Sequence, residues 1–122
     1  MSENYQQISI ILDIKRNKLR MYKYLLAQIG NPPFIQFLIN IEKGKFAVRG
    51  VDKESPGYQT MKIKPLSEMK QKEYEFASKT LVCKLVDAIG IANRNCSYRL
   101  CGTLIPTERI AVFPFENIET LN

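Results

Sequence analysis

The sequence predicts an α+β domain, mainly β with short helices, and three observations carry that expectation. Short β-branched and apolar runs alternate with polar residues in several places, the period-2 signature of half-buried strands. Two stretches change to helical spacing, and each stops at a glycine. The order strand, helix, glycine, hairpin then occurs twice in 122 residues, a length that makes one core and one domain, 1–122.

The first unit spans 8–50. "ISIILDIK", Ile8 to Lys15, reads as a strand buried on at least one face. Arg16 and Asn17 turn the chain, because Asn tolerates a left-handed backbone. "KLRMY" alternates Leu19 and Met21 against Lys18, Arg20 and Tyr22, a second strand. Tyr22, Leu25, Leu26 and Ile29 then stand at i, i+3, i+4 and i+7, the stripe of a short amphipathic helix. Gly30 supplies its left-handed stop, and "NPP" forbids continuation. Phe34 to Arg49 reads as a hairpin turning at Gly44.

Residues 51–72 turn polar and form the connector, with "YQTMKIKP" as an extra strand ending at Pro65. The second unit spans 73–116. Tyr74 and Phe76 share one face of a strand, Ser78 caps a helix, Leu81, Leu85, Val86 and Ile89 repeat the stripe, and Gly90 ends it. A hairpin turning at "IPTE" follows, with Pro114 closing the last strand. Leu25, Leu26, Ile29 and Gly30 recur sixty positions later as Leu85, Val86, Ile89 and Gly90, and "FAVRG" is answered by "IAVFP" sixty-four later. A unit of this size has a small core and gains by burying its apolar face against a second copy.

Composition narrows the function. A net charge of +6 and a pI near 9.3 favour a polyanionic partner, because released counterions add affinity for nucleic acid. No apolar run reaches the roughly 20 residues of a membrane span, and "MSENYQQ" lacks an export signal, so a cytoplasmic location without membrane contact is expected. Cys83, Cys96 and Cys101 form no CxxC pair and there is no His, so reduced, mostly buried thiols are expected and no metal or cofactor. Without His, a phosphate-binding Gly loop or a nucleophile elbow, the chain does not read as an enzyme.

"NKLRMYKYLLAQIGNPPFIQFLINIEKGKFAVRG" resembles the swapped-hairpin unit of the AbrB, MazE and SpoVT DNA-binding proteins. Lys23 falls on the motif Lys, Leu25 and Ile29 on its helical apolar positions, Gly30 on its helix-ending Gly, and Val48 and Arg49 on its closing strand. Tyr22 stands in place of the family's Pro, Asn17 in place of a turn Gly, and "NPPF" in place of its Pro-Gly-Asp loop. Two fused units are similar in plan to the MraZ proteins of the same superfamily. The resemblance implies two tandem swapped-hairpin AbrB-like units forming one pseudo-two-fold, barrel-like domain.

It also implies DNA binding through the basic residues of the first turn and of the strand entering the helix. Independently, Lys15, Arg16, Lys18, Arg20 and Lys23 are five cations in nine residues, and no acid lies between Asp13 and Glu42. With Asn17 in the turn they form the expected DNA-binding set, while Arg94 and Arg99 are candidates for additional phosphate contacts. The expected function is sequence-specific binding of double-stranded DNA by a transcriptional regulator, as a homodimer with two equivalent reading surfaces. The alternative is a non-catalytic protein-interaction module, antitoxin-like or of phage accessory type, that has lost DNA recognition. Glu73 and Glu75 in the second unit's approach strand favour it.

Overall fold

The computed structural model describes residues 6–54, 59–63 and 72–121. Strand β1 (Gln6–Asp13) and strand β2 (Lys18–Tyr22) pair antiparallel through a turn in which Asn17 takes φ 54°. Ile10, Leu12, Leu19 and Met21 are buried, as the period-2 pattern requires. Helix α1 (Lys23–Gln28) follows at once and buries Leu25 and Leu26, with Ile29 just beyond it. Tyr22 does not join this stripe. It is the N-cap residue in extended geometry, so its ring leaves the sheet opposite Met21 and is 46% exposed. Gly30 at φ 93° and Asn31 at φ 45° then reverse the chain.

Strands β3 (Phe34–Asn40) and β4 (Lys45–Val51) form the expected hairpin, and β5 (Gln59–Lys62), in the connector, pairs with β3. In the second unit, β6 (Glu73–Ala77) leads to α2 (Lys79–Ile89), whose Leu81 N–H donates to the Ser78 hydroxyl at 3.2 Å. That helix buries Leu81, Val82, Leu85 and Val86 and stops at Gly90, φ 86°. Strands β7 (Ser97–Ile105) and β8 (Ile110–Pro114) turn through a single 3₁₀ turn at Pro106–Glu108 and Arg109 at φ 54°. Pro114 interrupts the pairing without ending it: after a 3₁₀ turn at Phe115–Asn117 the chain resumes as β9 (Ile118–Leu121), again paired with β7.

All pairings are antiparallel, in the order β5-β3-β4-β8-β7-β1-β2-β6, with β9 also on β7. The sheet is strongly curled. Phe37 on β3 and Phe76 on β6 lie near opposite ends of that order, yet their rings meet edge to face at 5.6 Å. Phe37 also stacks on Phe46, and Phe46 contacts Phe113, so one aromatic run crosses the core and ties both units together. The fold is thus mainly β with two helices, around one buried cluster.

Pairing between the two halves of the chain is extensive. The first unit's β1, β2 and β4 pair with β7, β6 and β8 of the second, while β5 of the connector pairs with β3 of the first. Backbone bonds at the two seams come in matched couples. Ser78 N–H donates to Asn17 O at 3.0 Å and Lys23 N–H to Lys72 O at 2.7 Å; Gly50 N–H donates to Arg109 O at 2.9 Å and Phe115 N–H to Gly44 O at 2.8 Å. Phe46 and Val48 face the core in β4, as Ala111 and Phe113 do in β8, so setting Phe46 against Ile110, sixty-four residues later, matches a core-facing residue with one on the other face of its strand.

Candidate nucleic-acid interface

The turn between β1 and β2 presents Lys15 and Arg16, both exposed. Its shape is fixed from three sides. Asn17 N–H donates to Ile14 O at 3.1 Å, Arg16 N–H to Asp13 Oδ1 at 3.4 Å, and Asn17 O accepts from Ser78 N–H. The last bond sets the turn beside the start of α2, where Lys79 is exposed. Lys15, Arg16 and Lys79 therefore make one basic edge next to a helix N-terminus whose partial positive charge adds to theirs. Lys79 was not among the residues expected from sequence, because only the β2–β6 pairing brings it there.

The other cations of the cluster are engaged within the chain. Register places Arg20 directly opposite Glu75. The Arg20 guanidinium donates to Asp13 Oδ2 at 2.6 Å and its Nε lies 3.5 Å from Glu75 Oε2, an ion contact too poorly aligned to be a hydrogen bond. Asp13 is 5% exposed, and its carboxylate is held by Arg20 and the Arg16 N–H. The hydrogen bond to Asp13 raises the Arg20 pKa above its ordinary value, against the opposing pull of burial. Lys18 Nζ reaches Glu75 Oε1 at 3.1 Å. Two of the five clustered cations thus close a seam between the units.

The remaining candidates lie apart from the turn. Lys23 opens α1 at the other end of β2, where it lines a cavity with Lys72. Arg94, in the segment after α2, pairs with Asp87 at 3.3 Å with both side chains mostly exposed. Arg99 sits in β7, between Ile11 of β1 and Glu119 of β9. Across the outer sheet face Glu75, Arg20, Ile11, Arg99 and Glu119 follow one another on adjacent strands, so this row is charge-balanced. The Asp13–Arg20 link was readable in principle: a turn that pairs residue 13 with 18 brings 13 and 20 diagonal to each other. The Glu75 link was not, since it needs the long-range register.

The three cysteines are half-buried, more open than free thiols usually are. Burial, followed by a hydrogen bond from its thiol to Glu119 at 3.2 Å, pushes the Cys101 pKa up. Among the described residues no helix is long and apolar enough to cross a membrane. No family model, curated protein or solved structure matches the chain.

Proposed function

We propose that the chain is a duplicated swapped-hairpin protein that binds double-stranded DNA through the basic edge formed by Lys15, Arg16 and Lys79, and acts as a transcriptional regulator. The observation that carries the reading is the turn itself: its two exposed cations are held in place by backbone bonds from both units. Support for the duplicated plan comes from the pairings of β1 with β7, β2 with β6 and β4 with β8, the paired bonds at each seam, and the shared left-handed backbone at Gly30 and Gly90. Contacts to phosphates by these side chains position a protein on the duplex, and Arg16 is able to read a guanine edge bidentately.

The set of contacting residues is narrower than the basic cluster. Lys18 and Arg20 serve the seam with Glu75 and Asp13. Charge reversal of Lys15 and Arg16 together abolishes binding to labelled duplex in fluorescence anisotropy while leaving the thermal midpoint unchanged. Retained affinity in that variant overturns the assignment. The second reading, a protein-interaction module without DNA affinity, is favoured by the neutralisation of Lys18 and Arg20 at the seam; absence of binding at about 50 mM salt, where phosphate contacts are strongest, selects it.

A further inference from the structure

Asp13 is one of two buried polar or charged side chains among the described residues, and it stands at the base of the basic turn. Each of its oxygens has a separate task. Oδ2 accepts from the Arg20 guanidinium at 2.6 Å, and Oδ1 accepts from the backbone N–H of Arg16 at 3.4 Å. In register Asp13 lies between Lys18 of β2 and Ser97 of β7, so its own backbone is fixed within the sheet. A side chain anchored there is a rigid reference point for the turn it touches.

What Asp13 leaves untouched matters as much. Lys15 and Arg16 are exposed and form no ion pair among the described residues, although this carboxylate stands three positions before Arg16. The short, charge-assisted bond to Arg20, whose side chain is 24% exposed, meets the charge of Asp13 inside the seam. The bond to Arg16 uses the amide alone, and its guanidinium stays exposed. Asp13 thereby holds the backbone of the turn without cancelling the charge that the turn presents.

From this geometry we infer that Asp13 is a positioning residue for the basic edge: its Oδ1 fixes the Arg16 backbone, and so the direction in which Lys15 and Arg16 meet a phosphate backbone, while Arg20 neutralises it. The inference rests on the DNA reading and deepens it, by giving the pair of Asp13 and Arg20 a part in affinity besides closing the seam. Cations on a braced turn lose less freedom on binding than cations on a loose one, which is how a residue that touches no DNA contributes to affinity.

Asp13→Asn and Asp13→Ala separate this role from charge. Both remove the negative charge and release Arg20 alike, but only Asn keeps an oxygen for the Arg16 amide. The full chain is followed by amide hydrogen exchange at Arg16 and by anisotropy with a random-sequence duplex. The expected result is an Arg16 amide protected in the wild type and in Asp13→Asn and unprotected in Asp13→Ala. Asp13→Ala then binds duplex about fivefold more weakly than Asp13→Asn at the same salt slope, the size of one ordinary hydrogen bond. A merely structural role lowers the thermal midpoint without separating the two affinities. Equal affinity of the two variants, in a chain whose wild type binds, overturns the inference and leaves the DNA reading standing. Absence of binding by the wild type at about 50 mM salt overturns the DNA reading and, with it, the part in affinity. An Arg16 amide that exchanges at the unstructured rate in the wild type overturns the inference whether or not either variant folds.

Discussion

At the scale of single residues, Gly30 and Gly90 share a backbone and differ in surroundings. Both are left-handed, at φ 93° and 86°. A Cβ on Gly90 meets nothing within 4 Å, but on Gly30 it approaches Arg109 Nε to 2.8 Å. That guanidinium donates from Nε to Ile29 O at 3.1 Å and from Nη1 to Asp52 at 3.4 Å, so it satisfies a carbonyl at the end of α1. Gly90→Ala is expected to cost about 1 kcal/mol from backbone strain alone. Gly30→Ala costs about 1 kcal/mol more, from displacement of a hydrogen bond, and urea unfolding of the two variants measures the difference.

Cys101 offers a second test at this scale. Its pKa is raised, first by burial and then by Glu119. A raised thiol pKa means that the folded state holds the proton longer, so the stabilisation is complete below the ordinary thiol value and is lost as pH rises through the folded one. Alkylation of Cys101 at pH 8 to 9 is accordingly slower than that of an exposed peptide thiol, as peptide-resolved mass spectrometry reads out. Glu119→Gln accelerates it only in part, because the larger cause, burial, remains.

At the scale of elements, the β2–β6 seam decides what the charges do. Arg20 is the cation of a nearly buried carboxylate, so Arg20→Met strands Asp13 and is expected to cost about 3 kcal/mol, the low end of the range for breaking a buried pair because Arg20 itself is partly exposed. Glu75 is 40% exposed on its side chain, and Glu75→Gln costs less than about 1 kcal/mol because solvent screens the pair. The same substitution releases Lys18 and raises DNA affinity, adding close to one unit to the salt slope. Chemical denaturation and anisotropy separate the two effects.

Elements also show where the sequence was informative. The strands with clean alternation, β2 and β4, the β3–β4 hairpin turning at Gly44, and the helix capped by Ser78 and Gly90, follow from local chemistry and stand where their patterns place them. Tyr22 misled because its spacing fits the helical stripe while its backbone is still a strand. The segment β9 was hidden by Pro114, which breaks pairing for three residues only. Of the candidate site, the exposed turn was legible from charge and Asn17, but the loss of Lys18 and Arg20 to the seam depends on β6 arriving from more than fifty residues away.

At the scale of the whole molecule, β1, β2 and β4 of the first half find their pairing partners in β7, β6 and β8 of the second half, within one chain. The two units are nevertheless unlike in charge at their common seam, with Arg20 on one side meeting Glu75 on the other. A symmetrical basic surface is thereby reduced to one basic edge. The most direct measurement of this account is the slope of log affinity against log salt for a random-sequence duplex, followed by anisotropy between about 50 and 200 mM salt. Three phosphate contacts, from Lys15, Arg16 and Lys79, predict a slope of about −3. A slope near −5 for the chain bound as a monomer contradicts the account by showing that Lys18 and Arg20 leave the seam to reach phosphates, and no binding at the lowest salt contradicts it by removing DNA altogether.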